Sequence, residues 1–406
     1  MRPNTRGAVC AVWLAFAGFS LISLWLAGHV IESDVAEYHA YALQALTPPI
    51  FHQWPQEYPA LAQCVFLAPL LLPGAYRIRF ALVTLATLAA LLQTGMTRHG
   101  PGWALKLLGY LTLGTIGLFS QRYDIIPALC AFWALDQAQQ QHWKRAWMGS
   151  VLGFGLKLWP AVLWPVFLVQ EWRETGHIPG KHLLFSVGAS GLLLVIPALL
   201  SPHQAFTAFR YLLDRPVEYE SLAASLTTVF GHPHLFHAFG AVNVRDHGLA
   251  HAWALILTLL GGGLGLGVLW AQKTGRVDLT DAAILAVLLM LLTSKVFSAQ
   301  YLIWLAPLLA LRKGNGGFAL AFLATTLDYP IAYVVHPVPN WSQALLAIVA
   351  IRNGLLLSGG ITFAVRAWRV PHTTGREEKK GDPAGEGGVT HVSPLTNLAG
   401  VRAHSQ

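Results

Sequence analysis

Charged residues are scarce in this chain of 406 residues: Asp, Glu, Lys and Arg make up 11% of it, whereas 54% is hydrophobic. A soluble protein of this length would carry far more surface charge, so the composition excludes that class. Cysteine is also scarce, since only Cys10, Cys64 and Cys130 occur and all three lie in apolar stretches. An odd number so placed argues against a disulfide framework, and packing thiols are the favoured interpretation.

Apolar runs of spanning length fill most of the chain. The candidate spans are residues 8–29, 80–97, 103–120, 124–139, 147–160, 161–171, 183–200, 249–271, 281–294, 299–311, 317–335 and 343–365. We therefore predict an all-α fold, a polytopic transmembrane helical bundle of about 11–13 spans. Residues 1–370 are predicted to form one integral membrane domain. The Gly-, Pro-, Glu- and Lys-rich residues 371–406 are predicted to be a disordered cytoplasmic tail.

Three segments complicate the count of spans. The first run is predicted to be an uncleaved span, because it exceeds a usual signal-peptide core and Leu26–His29 is a poor cleavage site. Residues 61–73 are too short to cross and are predicted to form a surface-lying or half-inserted helix. The two spans around Pro160 and Pro165 could instead be one long kinked helix.

Basic residues determine the predicted topology. With the N-terminus inside, the cytoplasmic loops receive Arg98, Lys106, Lys144, Arg145, Arg173, Lys181, Lys273, Arg276, Arg312 and Lys313. This bias predicts a multi-pass protein of the plasma membrane with both termini in the cytoplasm. The net charge of +8 is mostly this cytoplasmic excess, so we do not infer nucleic-acid binding.

The loop after the first span is acidic and aromatic. Asp34 and Glu37 follow the span closely, Glu57 comes later, and no Lys or Arg occurs between Arg6 and Arg77. A transporter or a structural membrane protein rarely needs such a first loop. The pattern favours an enzyme that acts on a lipid-borne substrate at the membrane face.

Further ionisable residues are predicted to gather on the same outer side. Arg122, Asp124, Lys157 and Lys295 lie at turns between spans, and the large outer loop adds the stretch 209–221 with its Arg, Asp and Glu residues. Ionisable groups beside apolar spans are functional candidates by default. Lys and Arg beside carboxylates and aromatics suit a polyprenyl phosphate that carries a sugar.

Each of these residues also has a structural interpretation. Arg122 and Asp124 could pair with each other at a helix end, Lys157 could snorkel to the headgroups, and Lys295 could be a loop charge. Asp34 could serve only as a helix cap. Within the last span, Arg352–Asn353 could either pair structurally or line a lipid site.

Two other motifs are given structural interpretations. The run His232–His237 contains three histidines, but Pro233 interrupts any helix that would align them, so a loop without metal is favoured over a zinc site. Gly261, Gly262 and Gly263, with two more glycines downstream, are predicted to form a close helix-packing face.

Several stretches resemble a known family. Ser33–Tyr38, Glu57–Pro59, Arg122–Pro127, Gly155–Pro160 and the stretches 215–221 and 295–304 resemble GT-C class membrane glycosyltransferases. The greatest resemblance is to the polyprenyl-phosphate-mannose-dependent α-mannosyltransferases of glycosyltransferase family 87 and their bacterial relatives. One departure is Pro59–Ala60, where the family usually has two prolines after the loop tyrosine.

The resemblance implies an extracytoplasmic site in which a first-loop carboxylate is the catalytic base, a role that falls on Asp34. The candidate substrate-binding residues are Glu37, Tyr38, Glu57, Tyr58, Arg122, Asp124, Lys157, Arg210, Tyr211, Arg215, Glu220, Lys295, Gln300 and Tyr301. No metal ligand and no cofactor is assigned, since the lipid-linked sugar is a substrate. The expected partners are this donor, a glycolipid or glycan acceptor, and the bilayer.

The predicted function is transfer of a hexose, mannose by preference, to an acceptor hydroxyl by inverting displacement. A transporter or flippase of a lipid-linked sugar is the main alternative, but it predicts two related halves, and no internal repeat is evident. A non-catalytic membrane scaffold is the other alternative.

Overall fold

The computed structural model describes residues 3–29, 34–51, 53–55, 57–201, 207–332 and 341–369. Within these ranges the chain forms sixteen α-helices and one β-hairpin. The helices are α1 (Pro3–His29), α2 (Asp34–Leu46), α3 (Ala62–Leu67), α4 (Tyr76–His99), α5 (Pro101–Thr115), α6 (Ile125–Gln139), α7 (Trp143–Leu156), α8 (Leu163–Thr175), α9 (Gly180–Leu200), α10 (Thr207–Asp214), α11 (Leu222–Phe230), α12 (Leu249–Lys273), α13 (Leu279–Thr293), α14 (Leu302–Leu309), α15 (Gly316–Thr326) and α16 (Trp341–Arg369). The antiparallel strands are β1 (His234–Ala238) and β2 (Ala241–Arg245). The predicted disordered tail lies outside the described residues.

The helices confirm the predicted all-α membrane fold. Twelve of those described, α1, α4 to α9 and α12 to α16, occupy the predicted spans. Five stretches are long and apolar enough to cross a bilayer by length and composition: Arg6–His29, Tyr76–His99, Gly180–Leu200, Leu249–Lys273 and Gln343–Trp368. The others are shorter because 3₁₀ turns or loops interrupt them, as at Phe119–Gln121, Trp159–Val162 and Ala299–Tyr301.

The proline-containing region around residue 160 is a helical hairpin. Trp147, early in α7, donates a hydrogen bond from Nε1 to Oε2 of Glu171, late in α8, over 2.8 Å. This contact requires the two helices to run antiparallel. The alternative of one long kinked helix is therefore wrong. At about 1.5 Å per residue, each of the two helices is shorter than the bilayer core of about 30 Å. The turn between them therefore does not need to reach the membrane surface, and its residues Lys157, Leu158 and Trp159 line a cavity of the protein.

Residues 61–73 do not cross the bundle. They form α3 and the 3₁₀ turn Ala68–Leu71, which pack against the segments on either side. Tyr76 Oη donates to the carbonyl of Phe66 over 2.7 Å, and Gln63 Nε2 donates to the carbonyl of Tyr41 over 3.0 Å. This agrees with the prediction that the segment belongs to the first loop.

Because the helices alternate in direction, their connections fall at two ends of the bundle. At one end, here called the basic end, lie the turns from α4 to α5, α6 to α7, α8 to α9, α12 to α13 and α14 to α15, and with them the basic residues predicted to face the cytoplasm. At the other end, here called the site end, lie α2, α3, α10, α11 and the β-hairpin.

Two sequence interpretations need correction. The predicted loop at residues 232–237 instead includes strand β1, in which His234 and His237 are exposed. In the described part of the chain no group of His, Cys, Asp or Glu is arranged to hold a metal. Of the five glycines in α12 only Gly261 is close to a described neighbour, since a Cβ there would meet Thr293. The predicted packing face is therefore limited to Gly261.

Candidate active site

A cavity of about 890 Å³ opens at the site end of the bundle. Its size is typical of small-molecule sites. Its walls come from α2, the first loop, the α7–α8 turn, α10, the β-hairpin and the segment before α14. The candidate residues that line it are Asp34, Glu37, Glu57, Tyr58, Arg122, Lys157, Tyr211, Arg215, Glu220, Gln300 and Tyr301. Residues far apart in the sequence thus meet around one space.

Asp34 lies at the start of α2 and faces Arg122. The two side chains form an ion pair, and both keep some exposure, 29% for Asp34 and 17% for Arg122. Tyr38 Oη donates to Asp34 Oδ2 over 3.5 Å from the next turn of α2. A partly accessible carboxylate beside a cation can accept a proton from a bound hydroxyl while the cation holds an anion.

An aromatic cluster fixes α2 in place. Tyr38 stacks on Phe66 with ring centroids 4.5 Å apart and makes an edge contact with Tyr123 at 5.8 Å. Tyr123 Oη donates to the carbonyl of Leu156, which joins the cluster to the end of α7. Tyr38 is buried and does not line the cavity. From this position Tyr38 can hold the Asp34 side chain in place through its hydrogen bond.

Lys157, which lines the cavity, pairs with Asp124, which does not. Lys157 Nζ is 2.7 Å from Asp124 Oδ1, which also accepts a 2.6 Å hydrogen bond from Trp304 Nε1. The ammonium group also lies 5.1 Å from the ring centre of Tyr123 and 5.2 Å from that of Trp304. Asp124 is fully buried, so it holds Lys157 rather than lining the cavity.

These pairs correct two structural interpretations of the sequence. Arg122 and Asp124 do not pair with each other, because Arg122 pairs with Asp34 and Asp124 with Lys157. Lys157 does not snorkel outward, since its side chain is only 15% exposed.

An aromatic stack forms a further wall. The rings of Trp159 and Trp304 are stacked 4.9 Å apart, and Tyr301 stacks on Trp304 at 4.0 Å. All three line the cavity. The two tryptophans were not among the predicted site residues, although both lie in stretches that resemble the glycosyltransferases.

A second group of charges was missed in part by sequence reasoning. Arg352 Nη1 is 2.8 Å from Glu220 Oε1 and 3.8 Å from Asp328 Oδ2. Arg352 also donates to the carbonyl of Glu220, and Asn353 Nδ2 donates to the same carbonyl over 3.0 Å. Because Arg352 is fully buried, the interpretation of Arg352–Asn353 as a structural pair is correct and a lipid-lining role is wrong. The signal in the sequence was an ionisable residue within an apolar span.

Glu218 links this group to the cavity. It pairs with Arg215 over 3.2 Å, and Ser298 Oγ lies 3.2 Å from Glu218 Oε1 and 3.4 Å from Glu220 Oε2. Glu218 lies in the outer-loop stretch 209–221 but is not among the residues that the sequence predicts for the site.

Two candidates, Arg210 and Lys295, lie apart from this centre. Lys295 Nζ donates to the carbonyl of Leu213 over 2.8 Å, and the Arg210 side chain is exposed. Neither is among the residues that line the cavity. The interpretation of Lys295 as a loop charge fits this contact.

Burial alters the proton affinity of two loop carboxyl groups. It raises the pKa of Glu57, and the nearby charge of Glu37 adds to the increase. It also raises the pKa of Glu218 to about 7, although the positive charge of Arg215 opposes this. Each carboxyl group therefore keeps its proton to a higher pH than a free glutamate does.

The bundle and its cavity together define a multi-pass membrane protein with a charged, aromatic-walled site at one end. No protein-family model and no curated protein matches the sequence. Among solved structures the chain is similar to the crystal structure of ArnT from Cupriavidus metallidurans bound to undecaprenyl phosphate. The TM-score is 0.50 at 12% identity, over 88% of this chain and 76% of that chain.

The apo structure of the same ArnT gives a TM-score of 0.47 at 13% identity, over 88% of this chain and 77% of that chain. At such identities the similarity concerns the fold alone. With the bundle described above, the similarity to the structure bound to undecaprenyl phosphate shows that this chain shares that multi-pass helical membrane fold.

Proposed function

We propose that this protein is a membrane glycosyltransferase that transfers a hexose from a polyprenyl-phosphate donor to a hydroxyl group of a glycolipid or glycan. Mannose is the favoured sugar because the sequence resembles the mannosyltransferases of family 87. The observation that carries the proposal is the position of Asp34 beside Arg122 on one cavity wall, with Lys157 on the same cavity. One cavity thus holds a candidate base, Asp34, and two cations, Arg122 and Lys157, that could bind the donor phosphate.

The proposed chemistry is a single displacement. Asp34 accepts the proton of the acceptor hydroxyl, and the oxygen forms a bond to the anomeric carbon while the bond from that carbon to the phosphate oxygen breaks. Polyprenyl phosphate leaves with the electron pair and a negative charge, which Arg122 and Lys157 stabilise. Since the attack comes from the opposite face, a β-linked donor gives an α-linked product.

In the proposed reaction Arg122 must release Asp34, at least in part, in order to bind the donor phosphate. It is paired with Asp34 in this structure, and a donor phosphate offers it a second anion. Glu37, Glu57 and Tyr58 line the cavity near α2 and are proposed to orient substrates. Arg210 and Lys295 are not assigned to the phosphate, because they lie away from the cavity lining.

The donor class has support from the fold neighbour. That ArnT structure is bound to undecaprenyl phosphate. An undecaprenyl-type lipid is therefore the first donor to test for this chain. The charge bias of the loops supports a site on the extracytoplasmic face of the plasma membrane, as an element of cell-envelope glycan assembly.

The test uses membranes that contain the full chain, labelled polyprenyl-phosphate hexoses and a panel of glycolipid and glycan acceptors. The expected result is a new α-glycosidic product with the wild type and none with Asp34→Asn. Glu174→Gln, an exposed carboxylate variant at the basic end, is the matched control and should retain activity. Movement of labelled lipid across the membrane without any glycosidic product would instead favour a flippase.

A further inference from the structure

Glu218 has one carboxyl oxygen without a hydrogen-bond partner in the described structure. Its Oε1 is bound by Arg215 and Ser298, and its backbone N–H donates to the carbonyl of Lys295. Its Oε2 is buried and has no hydrogen-bond partner in the part of the chain that the structure describes. The residue as a whole is 2% exposed and lines the cavity. Buried polar atoms are rarely left unpaired, so this oxygen lacks a group that a bound molecule or a water would supply.

The carboxyl groups around Glu218 outnumber their cations. Among the described residues, Glu218, Glu220 and Asp328 share only Arg215 and Arg352 as close ion-pair partners. The hydroxyl proton of Ser298 can serve Glu218 or Glu220 but not both at once. One carboxyl group of the three is thus short of a positive charge, and burial raises the pKa of Glu218 to about 7.

Glu218 lines the same cavity as the cations proposed to bind the donor phosphate. Arg122 lies within electrostatic range of both Glu218 and Glu220, and all three line one cavity. Because Arg122, Lys157 and Glu218 all line this cavity, a donor phosphate held by the two cations leaves its sugar in the space that Glu218 borders. Sugar hydroxyls both donate and accept hydrogen bonds, so they can complement Glu218 in either protonation state.

We propose that the free carboxyl oxygen of Glu218 binds a ring hydroxyl of the donor sugar, which makes Glu218 a residue that selects the sugar. This inference rests on the proposed function, since it requires a sugar linked to a phosphate in the cavity. It separates two carboxylates by role: Asp34 receives the acceptor proton, and Glu218 positions the group that is transferred.

The first experiment measures donor KM and kcat with polyprenyl-phosphate mannose and its 2-, 3-, 4- and 6-deoxy analogues. Glu218→Leu should raise the KM for mannose about 10- to 100-fold, because the hydroxyl loses its partner, while kcat changes much less. Glu218→Gln should stay within about fivefold, since an amide can still donate and accept. One deoxy donor should bind the wild type and Glu218→Leu equally well, and this donor identifies the hydroxyl.

The second experiment follows donor KM against pH and remains informative if Glu218→Leu fails to fold. The charged and titratable groups that face Glu218 are Arg215, Tyr219, Glu220, Arg352, Arg122 and Tyr301. Ionisation of Glu218 above about pH 7 adds negative charge to a cavity that must receive an anionic phosphate, so donor KM should rise there. Glu218→Gln cannot ionise and should abolish this rise.

The outcomes distinguish the two proposals. If the wild type transfers sugar but Glu218→Leu leaves KM unchanged, or penalises every deoxy donor as much as mannose, the role of Glu218 is overturned and the enzyme assignment stands. A rise of KM with pH that persists in Glu218→Gln also overturns it. If the wild type transfers no sugar from any polyprenyl-phosphate hexose, both proposals fail together.

Discussion

The two ends of the bundle use their charges differently. At the basic end Arg312 pairs with Asp278 and, over 2.5 Å, with Asp281, and these groups keep 30%, 35% and 10% of their side-chain exposure. Asp278 also caps α13 by accepting a 2.8 Å hydrogen bond from the Asp281 N–H. These charges fasten a turn to the start of a helix.

At the site end the corresponding pairs are buried and border a cavity. Arg352 and Glu220 are 0% and 7% exposed, and Lys157 and Asp124 are 15% and 1% exposed. Desolvating such pairs opposes folding, so a bundle that needed only stability would fill these positions with apolar side chains. The pairs at the site end therefore carry a desolvation cost that the exposed Arg312–Asp278 pair does not.

Asp34→Asn should produce the largest effect on activity. Without a carboxylate to accept the acceptor proton, turnover should fall about 10²- to 10⁴-fold, whereas unfolding in detergent should be little changed. Product formation from labelled polyprenyl-phosphate hexose, with thermal unfolding in parallel, measures both. Glu37→Gln, on the same helix and the same cavity, tests position specificity and should lose less. An Asp34→Asn enzyme with wild-type turnover would exclude Asp34 as the base.

Arg352→Met should have the largest effect on stability. It leaves Glu220 and Asp328 buried without their cation, which is expected to destabilise the fold by about 3–5 kcal/mol. The midpoint of unfolding in detergent measures the loss. The double variant Arg352→Met/Glu220→Gln removes one of the stranded charges and should regain part of it. If the single variant were as stable as the wild type, the buried network would not support the site end.

Lys157→Met should lower kcat/KM about 10²- to 10³-fold if Lys157 stabilises the leaving phosphate. Lys157→Arg keeps the positive charge and should retain more activity. The double variant Lys157→Met/Asp124→Asn distinguishes two explanations, because it removes the carboxylate that the single variant leaves unpaired. Recovery of activity in the double variant would mean that Lys157 only neutralises Asp124. Continued loss supports contact with substrate.

The fold was predictable from the sequence because hydropathy is a local property. Each apolar run from residue 8 to 365 corresponds to a helix, and loop charges separate the two ends before any coordinates are known. The sequence does not decide whether α7 and α8 form a hairpin, since length alone does not distinguish two short antiparallel helices from one kinked helix. The contact between Trp147 and Glu171 decides it.

The candidate site was only partly predictable, because partners are a tertiary property. The chain marks Arg352, Lys157 and Asp124 as unusual, but nothing local pairs Arg352 with Glu220, which is 132 residues away. Strand β1 was missed for a related reason: it is five residues long and is stabilised by its ladder with β2. Its histidines and Pro233 conceal that pairing in the sequence.

Arg312→Gln, at the basic end of the bundle, should have the smallest effect on stability and activity. It tests the comparison between the two ends. The pair with Asp278 is about one third exposed, so water screens it. Asp281 is only 10% exposed, but it lies in the first turn of α13, where the helix dipole favours a carboxylate without Arg312. Stability should therefore fall by about 1 kcal/mol. Activity should remain within about twofold, because the cavity lies at the opposite end of the bundle. The same unfolding and transfer assays apply. Because Arg312→Gln and Arg352→Met each remove one guanidinium group, equal losses of stability would show that burial does not distinguish the two ends.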